Sequence, residues 1–390
     1  MTNRNARHKS MKIVKGGVTT PKGFLANGLS SGIKRSGKPD LGIIVSDFPA
    51  VTAGVFTKNS IKAAPLLVSM KHVKKGVSRA ILVNSGNANC YTGRAGLKHA
   101  QGSTELVAKL LGVSPTDVLV TSTGIIGKPL PYHKIVGAAP ILIRGLSPKA
   151  GGKFARAIMT TDLKVKEIAV EIMMGGKKVT IGGCAKGSGM IEPNMATMLG
   201  FVTTDAAISH KMLKIALKRA TQQSFNSITV DGCMSTNDMV TLQASGLAGN
   251  KRIVTEDGDF KKFYQALEFV CIDLAKKIVR DGEGATKFLT IDVKGAANAA
   301  QARKIAKTIA NSVLVKTAAF GSNPNWGRVG AAVGSLGYNQ INEYNMKITF
   351  SPFDKKEIAV KVELGLGRAS ATVYTCDFSC EYVRINGKYN

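Results

Sequence analysis

Short β-branched runs alternate with segments of helical spacing along most of this chain, and that alternation constrains the fold more than any other feature. Asp40-Leu41-Gly42-Ile43-Ile44-Val45-Ser46 reads as a buried strand bounded by Pro39 and Asp47, Ala53 to Thr57 as a second and Ala80 to Asn84 as a third. Ala95 to Leu111 carries helical spacing through His99, Leu106, Val107 and Leu110, with Gly112 as its stop. Asp117 to Gly124 reads as a strand running into a Thr-Gly turn, and Gly151 to Thr161 as a helix. Val179 to Ala185 is a strand, a further strand runs through Thr203, and a helix spans Ser209 to Gln222. Ile228 to Val230 is a short strand, Phe260 to Arg280 a long amphipathic helix, Ile291 to Val293 a strand and Ala299 to Ser312 a helix. From Met346 to Arg384 apolar and polar residues alternate as in an antiparallel sheet. The pattern predicts an α/β or α+β fold, and 390 residues suffice for one large domain or two ordinary ones.

Between two of these strands lies Lys186-Gly187-Ser188-Gly189-Met190-Ile191-Glu192-Pro193-Asn194-Met195-Ala196-Thr197-Met198-Leu199. Its glycines and Pro193 bring an extended loop to the Ala196-Thr197 step, and an apolar run through Val202 follows at once. A threonine placed there is held firmly while its hydroxyl stays accessible, which suits a nucleophile. The same residues describe an ordinary loop-to-strand junction. Likewise, Asn84 to Asn89 reads as a turn stabilised by asparagine side chains. Thr123-Gly124 reads as a strand end whose hydroxyl and N–H can aim at one point, and Glu283 between two glycines as a helix C-terminal turn.

Lys186 to Leu199 resembles the cleavage-site signature of the ornithine acetyltransferase family, the glutamate N-acetyltransferases of arginine biosynthesis. Asn84 to Asn89, Thr121 to Gly127, Met159-Thr160-Thr161-Asp162 and Asp231 to Asp238 are similar to further family signatures. So are Asp281 to Lys287, Asn323-Pro324-Asn325-Trp326-Gly327-Arg328 and Tyr382 to Asn386, in family order from about Lys22 onward. The resemblance implies a layered α-β-β-α sandwich of the type shared with self-cleaving aminopeptidases. It implies self-cleavage between Ala196 and Thr197, giving an α chain of residues 1–196 and a β chain of 197–390, paired as an α2β2 heterotetramer. Thr123 and Gly124 match the family's oxyanion-hole pair, and Thr160, Lys186, Thr197, Glu283 and Asn386 its substrate contacts. The implied reaction moves acetyl from N-acetylornithine to glutamate, by ping-pong kinetics through acetyl-Thr197. No cofactor is implied; acetyl-CoA as a further acetyl donor is left open. The chain departs from the family at Asn323, where Asp is usual, and the family's C-terminal hydroxyl residue would fall one position past Asn390. That one family substrate contact, and whether the C-terminus is trimmed, are left open.

An N-terminal threonine suits acyl transfer because its own α-amine, with a reference pKa of about 7.7–8.0, can take the hydroxyl proton. Before the cut that nitrogen is an amide and no base, so cleavage is the activating step. With Lys186 on the α-carboxylate and Glu283 on the ornithine ammonium, the implied contacts are complementary in charge; Thr160 and Asn386 add neutral hydrogen bonds.

Six scattered cysteines and five histidines form no recognisable metal motif, so no metal is expected. Cys376 and Cys380, four apart in an apparent strand, are expected on one face. No run approaches the roughly 20 apolar residues of a membrane span. Met1 to Lys15 is basic and acid-free without a secretory signal's apolar core, so a short solvated leader and the cytoplasm are expected. The net charge of +29 is spread thinly rather than gathered into a stripe, which predicts a generally basic surface and no specific nucleic-acid partner. Three competing readings stand beside the transferase. One is a related aminopeptidase or amidase that releases its acyl group to water, another a basic nucleic-acid-binding protein, and the third a non-catalytic relic, against which the retention of Lys186, Thr197 and Glu283 together argues.

Overall fold

A computed structural model describes residues 11–192 and 198–388; Ala196, Thr197 and the expected cleavage point lie outside them. The chain divides into two compact units, one of Met1–Gly187, Asn194–Phe225 and Met234–Ala275, the other of Ser188–Pro193, Asn226–Cys233 and Lys276–Asn390.

The first unit holds a nine-stranded sheet. Its strands are β1 (Met11–Val14), β2 (Phe24–Leu29), β3 (Leu41–Phe56), β4 (Val77–Asn87), β5 (Val118–Ile125), β6 (Lys166–Met174), β7 (Lys177–Lys186), β8 (Leu199–Thr204) and β9 (Met239–Ala244). They run in the order β1-β6-β7-β8-β9-β3-β4-β5, with β2 paired to β3 off this path. Its helices are α1 (Ala64–His72), α2 (Gly93–Leu111), α3 (Tyr132–Arg144), α4 (Gly151–Ala157), α5 (His210–Gln223) and the greater part of α6 (Gly258–Arg280). Alternate strand residues feed two cores. Ile44, Ile81, Val83 and Leu119 pack with Phe154 of α4 and Phe201. Ile43, Val45, Leu82, Val118 and Val120 pack with Val107 of α2 and Leu142 of α3. A sheet buried on both faces is why these strands read as apolar runs rather than alternations.

The second unit holds β10 (Phe288–Ala296), β11 (Lys347–Phe350), β12 (Glu357–Glu363) and β13 (Ala369–Cys376), with α7 (Ala299–Asn311), α8 (Val313–Phe320), α9 (Trp326–Gly334) and α10 (Cys380–Asn386). The sheet order is β11-β12-β10-β13. One face is buried: Ile291, Val293, Val360, Val362 and Val373 pack against Ala302, Ile305 and Ile309 of α7 and Val329 and Val333 of α9. The α/β class, with helices layered on sheets, is borne out.

Several local expectations are corrected. The two strands expected at Asp40–Ser46 and Ala53–Thr57 are one, β3, because the register shift between Val45 and Ala50 lets the chain pass exposed Phe48 and Pro49 without leaving the sheet. Thr123-Gly124 is no turn: β5 continues through both, paired with β4. Ile228–Val230 forms only an isolated bridge to Tyr374, and Val230 N–H bonds the Ile191 carbonyl instead. Trp326 does not sit in a turn but opens α9, where Asn325 Oδ1 accepts from Arg328 N–H at 3.1 Å as the N-cap. The tail is not wholly antiparallel, since β12 runs parallel to β10. Nor is it wholly strand, since Cys380 lies exposed in α10 while Cys376 is buried in β13, so the two share no face. Among the described residues no helix is long and apolar enough to cross a membrane, and no cluster of His, Cys, Asp and Glu has metal-ligand geometry.

Candidate active site

Lys186 is the last residue of β7, and an interior strand of a doubly covered sheet carries it into a buried place; it is 3% exposed. Its Nζ donates to Thr123 Oγ1 at 3.2 Å and to Thr160 Oγ1 at 2.6 Å. The structure thus brings together three of the residues singled out in the sequence, with Gly124 beside Thr123. Because the ammonium donates into the Thr123 oxygen, that hydroxyl keeps its own proton for another acceptor, as an oxyanion donor requires. Gly124 has φ +132°, and a Cβ there would lie 2.3 Å from the Gly86 carbonyl carbon, so only glycine fits this close approach of β5 to β4.

The end of β5 is held from below by a polar network. Ser122 Oγ donates to Asn84 Oδ1 at 2.5 Å, and Asn237 Nδ2 donates to the carbonyls of Ser122 (2.8 Å) and Ala88 (2.7 Å). Asn84 Nδ2 in turn donates to the Asn87 carbonyl at 2.9 Å, and Asn87 Oδ1 accepts from Asn89 N–H at 2.8 Å. The Asn84–Asn89 amides are therefore spent on local structure, and Asn84 together with Asn237 ties down Ser122, the residue before Thr123.

Asp162 organises the other side. One carboxylate oxygen accepts from Lys166 Nζ at 2.6 Å and Gly187 N–H at 2.7 Å, the other from Thr160 N–H at 2.9 Å. Burial pushes this carboxyl up, but the ammonium groups of Lys186 and Lys166 outweigh it and hold the group well below the usual carboxylate range. Lys34 approaches as well, donating to the carbonyls of Pro39 (2.7 Å) and Met159 (2.6 Å). Burial, reinforced by Lys186, lowers its ammonium to about 8, against the pull of Asp40 and Asp162. Three lysines around Asp162 leave this buried place cationic, which suits a carboxylate ligand.

Asp238 behaves oppositely. It is fully buried at the start of β9, and Oδ1 accepts from Met198 N–H at 2.8 Å, while among the described residues no side-chain or backbone donor is placed on Oδ2. Burial pushes its carboxyl well up, and the Met198 N–H, the Thr57 hydroxyl and Lys186 offset this only in part.

In the second unit, Glu283 is 8% exposed at the turn after α6, and Asn386 closes α10. Asn386 Nδ2 donates to Glu283 Oε2 at 2.9 Å, so these two candidates also come together. Glu283 N–H donates to the Ser188 carbonyl at 2.9 Å, and Ser188 Oγ donates to the Asp281 carbonyl at 2.5 Å. A Cβ at Gly189 would lie 2.2 Å from Glu283 Oε2, so glycine leaves room for that carboxylate. Glu283 therefore packs against the Ser188-Gly189 backbone, with the Asn386 amide on its carboxylate.

Sequence reasoning quoted Asp162, Asp231 and Asp238 only within signatures of the resemblance, Asp162 in a substrate-binding turn, and assigned no role to Lys166 or Lys34. The available signal was slight. In a chain with 25 acids against 54 bases, a lone Asp directly abutting an apolar run, as at Asp238-Met239-Val240, is a candidate buried carboxyl.

The ArgJ family model matches residues 25–390. The arginine biosynthesis bifunctional protein ArgJ of Symbiobacterium thermophilum is 45% identical over 400 residues, covering 97% of this chain and all of that protein. The Bacillus cereus protein of the same name is 47% identical over 401 residues, covering 97% of each. Among solved structures, the Bacillus halodurans ArgJ protein aligns at 40% identity and a TM-score of 0.46, over 48% of this chain and 98% of that one.

Proposed function

The chain belongs to the ArgJ family, and from that premise we propose that it transfers acetyl from N-acetylornithine to glutamate through an acetyl-Thr197 intermediate. The observation that carries the reading furthest is the buried Lys186 ammonium joined to the hydroxyls of Thr123 and Thr160. Those residue types supply a carboxylate anchor and an oxyanion donor in one place.

Activation comes first. The Thr197 hydroxyl attacks the Ala196 carbonyl, the Thr197 nitrogen leaves and takes the proton, and water hydrolyses the resulting ester. The products are an α fragment ending at Ala196 and a β fragment whose new α-amine can act as base. In turnover that amine takes the Thr197 hydroxyl proton as the oxygen attacks the acetyl carbonyl. The Thr123 hydroxyl and Gly124 N–H receive the oxyanion, and ornithine departs with the transferred proton. Glutamate's α-amine then attacks acetyl-Thr197, giving N-acetylglutamate and restoring the enzyme. Lys186 holds the α-carboxylate common to both substrates, Glu283 receives the ornithine ammonium, and Thr160 and Asn386 add neutral hydrogen bonds. The relatives' designation as bifunctional supports acetyl-CoA as a second donor to the same threonine. The fragments remain together, in the α2β2 form, and act in the cytoplasm without a cofactor.

Intact mass and N-terminal sequencing of freshly purified protein under denaturing conditions test the reading. Two chains are expected, one beginning Thr197-Met198-Leu199, while Thr197→Ala stays whole and inactive. A single uncut chain that still transfers acetyl would overturn it. Glutamate should outcompete water as acceptor; release of free acetate as the main product would favour the hydrolase instead.

A further inference from the structure

α10, which ends in Asn386, contains no fully buried residue, so core burial alone does not place it. Its position is set by polar ties and ring contacts in the second unit. Ser379 Oγ, just before it, donates to the Gly284 carbonyl at 2.6 Å, and the Phe378 and Tyr382 rings lie 4.5 Å apart. A Cβ at Gly284 would lie 2.4 Å from Tyr382 N, so the Glu283-Gly284 turn runs directly against α10. One further tie comes from outside these segments. The Tyr382 hydroxyl donates to Asp231 Oδ2 at 3.2 Å.

Asp231 also accepts from Met190 N–H at 2.6 Å and Ile191 N–H at 2.8 Å. Its third backbone contact, Cys233 N–H at 3.1 Å, is what an aspartate in a turn ordinarily makes. The other contacts reach 40 residues back and 151 forward, which turn formation alone does not explain. Each leads to the same pair. Ser188, two residues before Met190, accepts from Glu283 N–H, and Asn386 Nδ2 donates both to the Tyr382 carbonyl at 3.0 Å and to Glu283 Oε2. Burial, with the Asp231 carboxylate adding to it, pushes the Tyr382 phenol up, so it remains a donor across the working pH range.

We propose that Asp231 is a positioning residue for the Glu283–Asn386 pair, setting α10 through the Tyr382 hydroxyl and the Ser188–Ile191 segment through two backbone N–H groups. The inference rests on Glu283 and Asn386 being substrate contacts. Without the Asp231 tie, Asn386 loses its fixed approach to Glu283, and the ornithine-side substrate binds a looser pair.

Asp231→Asn, Tyr382→Phe and Glu283→Gln, each prepared as processed protein, separate the two claims. With glutamate saturating, Asp231→Asn should raise KM for N-acetylornithine about tenfold and Tyr382→Phe about threefold. Both should keep kcat within about twofold and the melting temperature of Tyr382→Phe unchanged. If Glu283→Gln raises KM while Tyr382→Phe and Asp231→Asn leave it unmoved, the positioning role is wrong and the Glu283 reading stands. If Glu283→Gln itself leaves KM unmoved, the underlying reading fails and this inference with it. Equal losses in kcat and melting temperature for Tyr382→Phe would mark the tie as merely structural and also overturn the proposal.

Discussion

The Lys186–Asp162–Lys166 cluster of the first unit and the Glu283–Asn386 pair of the second meet charge in opposite ways. In the first, ionised groups are sealed from water and satisfied by one another: the Lys166 and Asp162 side chains are 1% and 0% exposed. In the second, a buried carboxylate meets a neutral amide on an exposed residue of a seven-residue helix. Burying charges is costly unless each has partners, so the first cluster cannot lose a member without exposing that cost. The second can lose its amide and let water replace it. The difference separates anchoring by sealed charges from recognition by a pair that water can reach.

The largest break is therefore expected at Asp162→Ala. It leaves two lysines near a buried site without their carboxylate and should destabilise the first unit by about 3–5 kcal/mol, read from denaturant midpoints. The pH dependence follows in sign. A carboxyl held below its unfolded value contributes stability that is complete above about pH 4 and lost as pH falls through the depressed folded value. Wild type should consequently lose stability in acid more steeply than the variant. Equal acid sensitivity would show that the cluster is not the buried ion pair described.

Asp238 sharpens the contrast inside one unit, because its shift has the other sign. A carboxyl whose folded value is raised binds its proton more tightly when folded. Wild-type stability should then fall by about 1.4 kcal/mol per pH unit from roughly pH 4 up to that raised value. Asp238→Asn keeps an acceptor for Met198 N–H but cannot ionise. The difference between its unfolding free energy and that of wild type should grow in the variant's favour as pH rises across this window. Parallel curves would mean that Asp238 is ionised without penalty.

These carboxyls also show where the sequence was legible. Strands and helices were, because apolar runs and helical spacing are local. Thr123, Thr160 and Lys186 were recognised by resemblance, and the structure brings them within hydrogen-bond reach. Asp162 was quoted only within a signature and Lys166 not at all, because nothing local shows that this pair, four residues apart, is buried where β6 begins. Asp238 and Met198 are 40 residues apart, and no local pattern joins them. The tail failed for a related reason. Alternation shows which face a strand buries but not the direction of its partner, so it did not reveal that β12 lies parallel to β10. Seven residues from Cys380 to Asn386 fit a strand's period and two turns of helix about equally well.

The smallest effect is expected where the second cluster is most open. Asn386→Ala removes one neutral donor from Glu283 Oε2 at an exposed position, and water can take its place. A hydrogen bond to a charged acceptor contributes about 1.5–3 kcal/mol when sealed from solvent, and less where water competes. The expected rise in KM for N-acetylornithine is then about threefold, with kcat and thermal stability unchanged. A pair that water can reach requires that small figure. A loss as large as that of Asp162→Ala, accompanied by a lower melting temperature, would show Asn386 to be sealed and structural. The contrast between the two clusters would then be one of composition only.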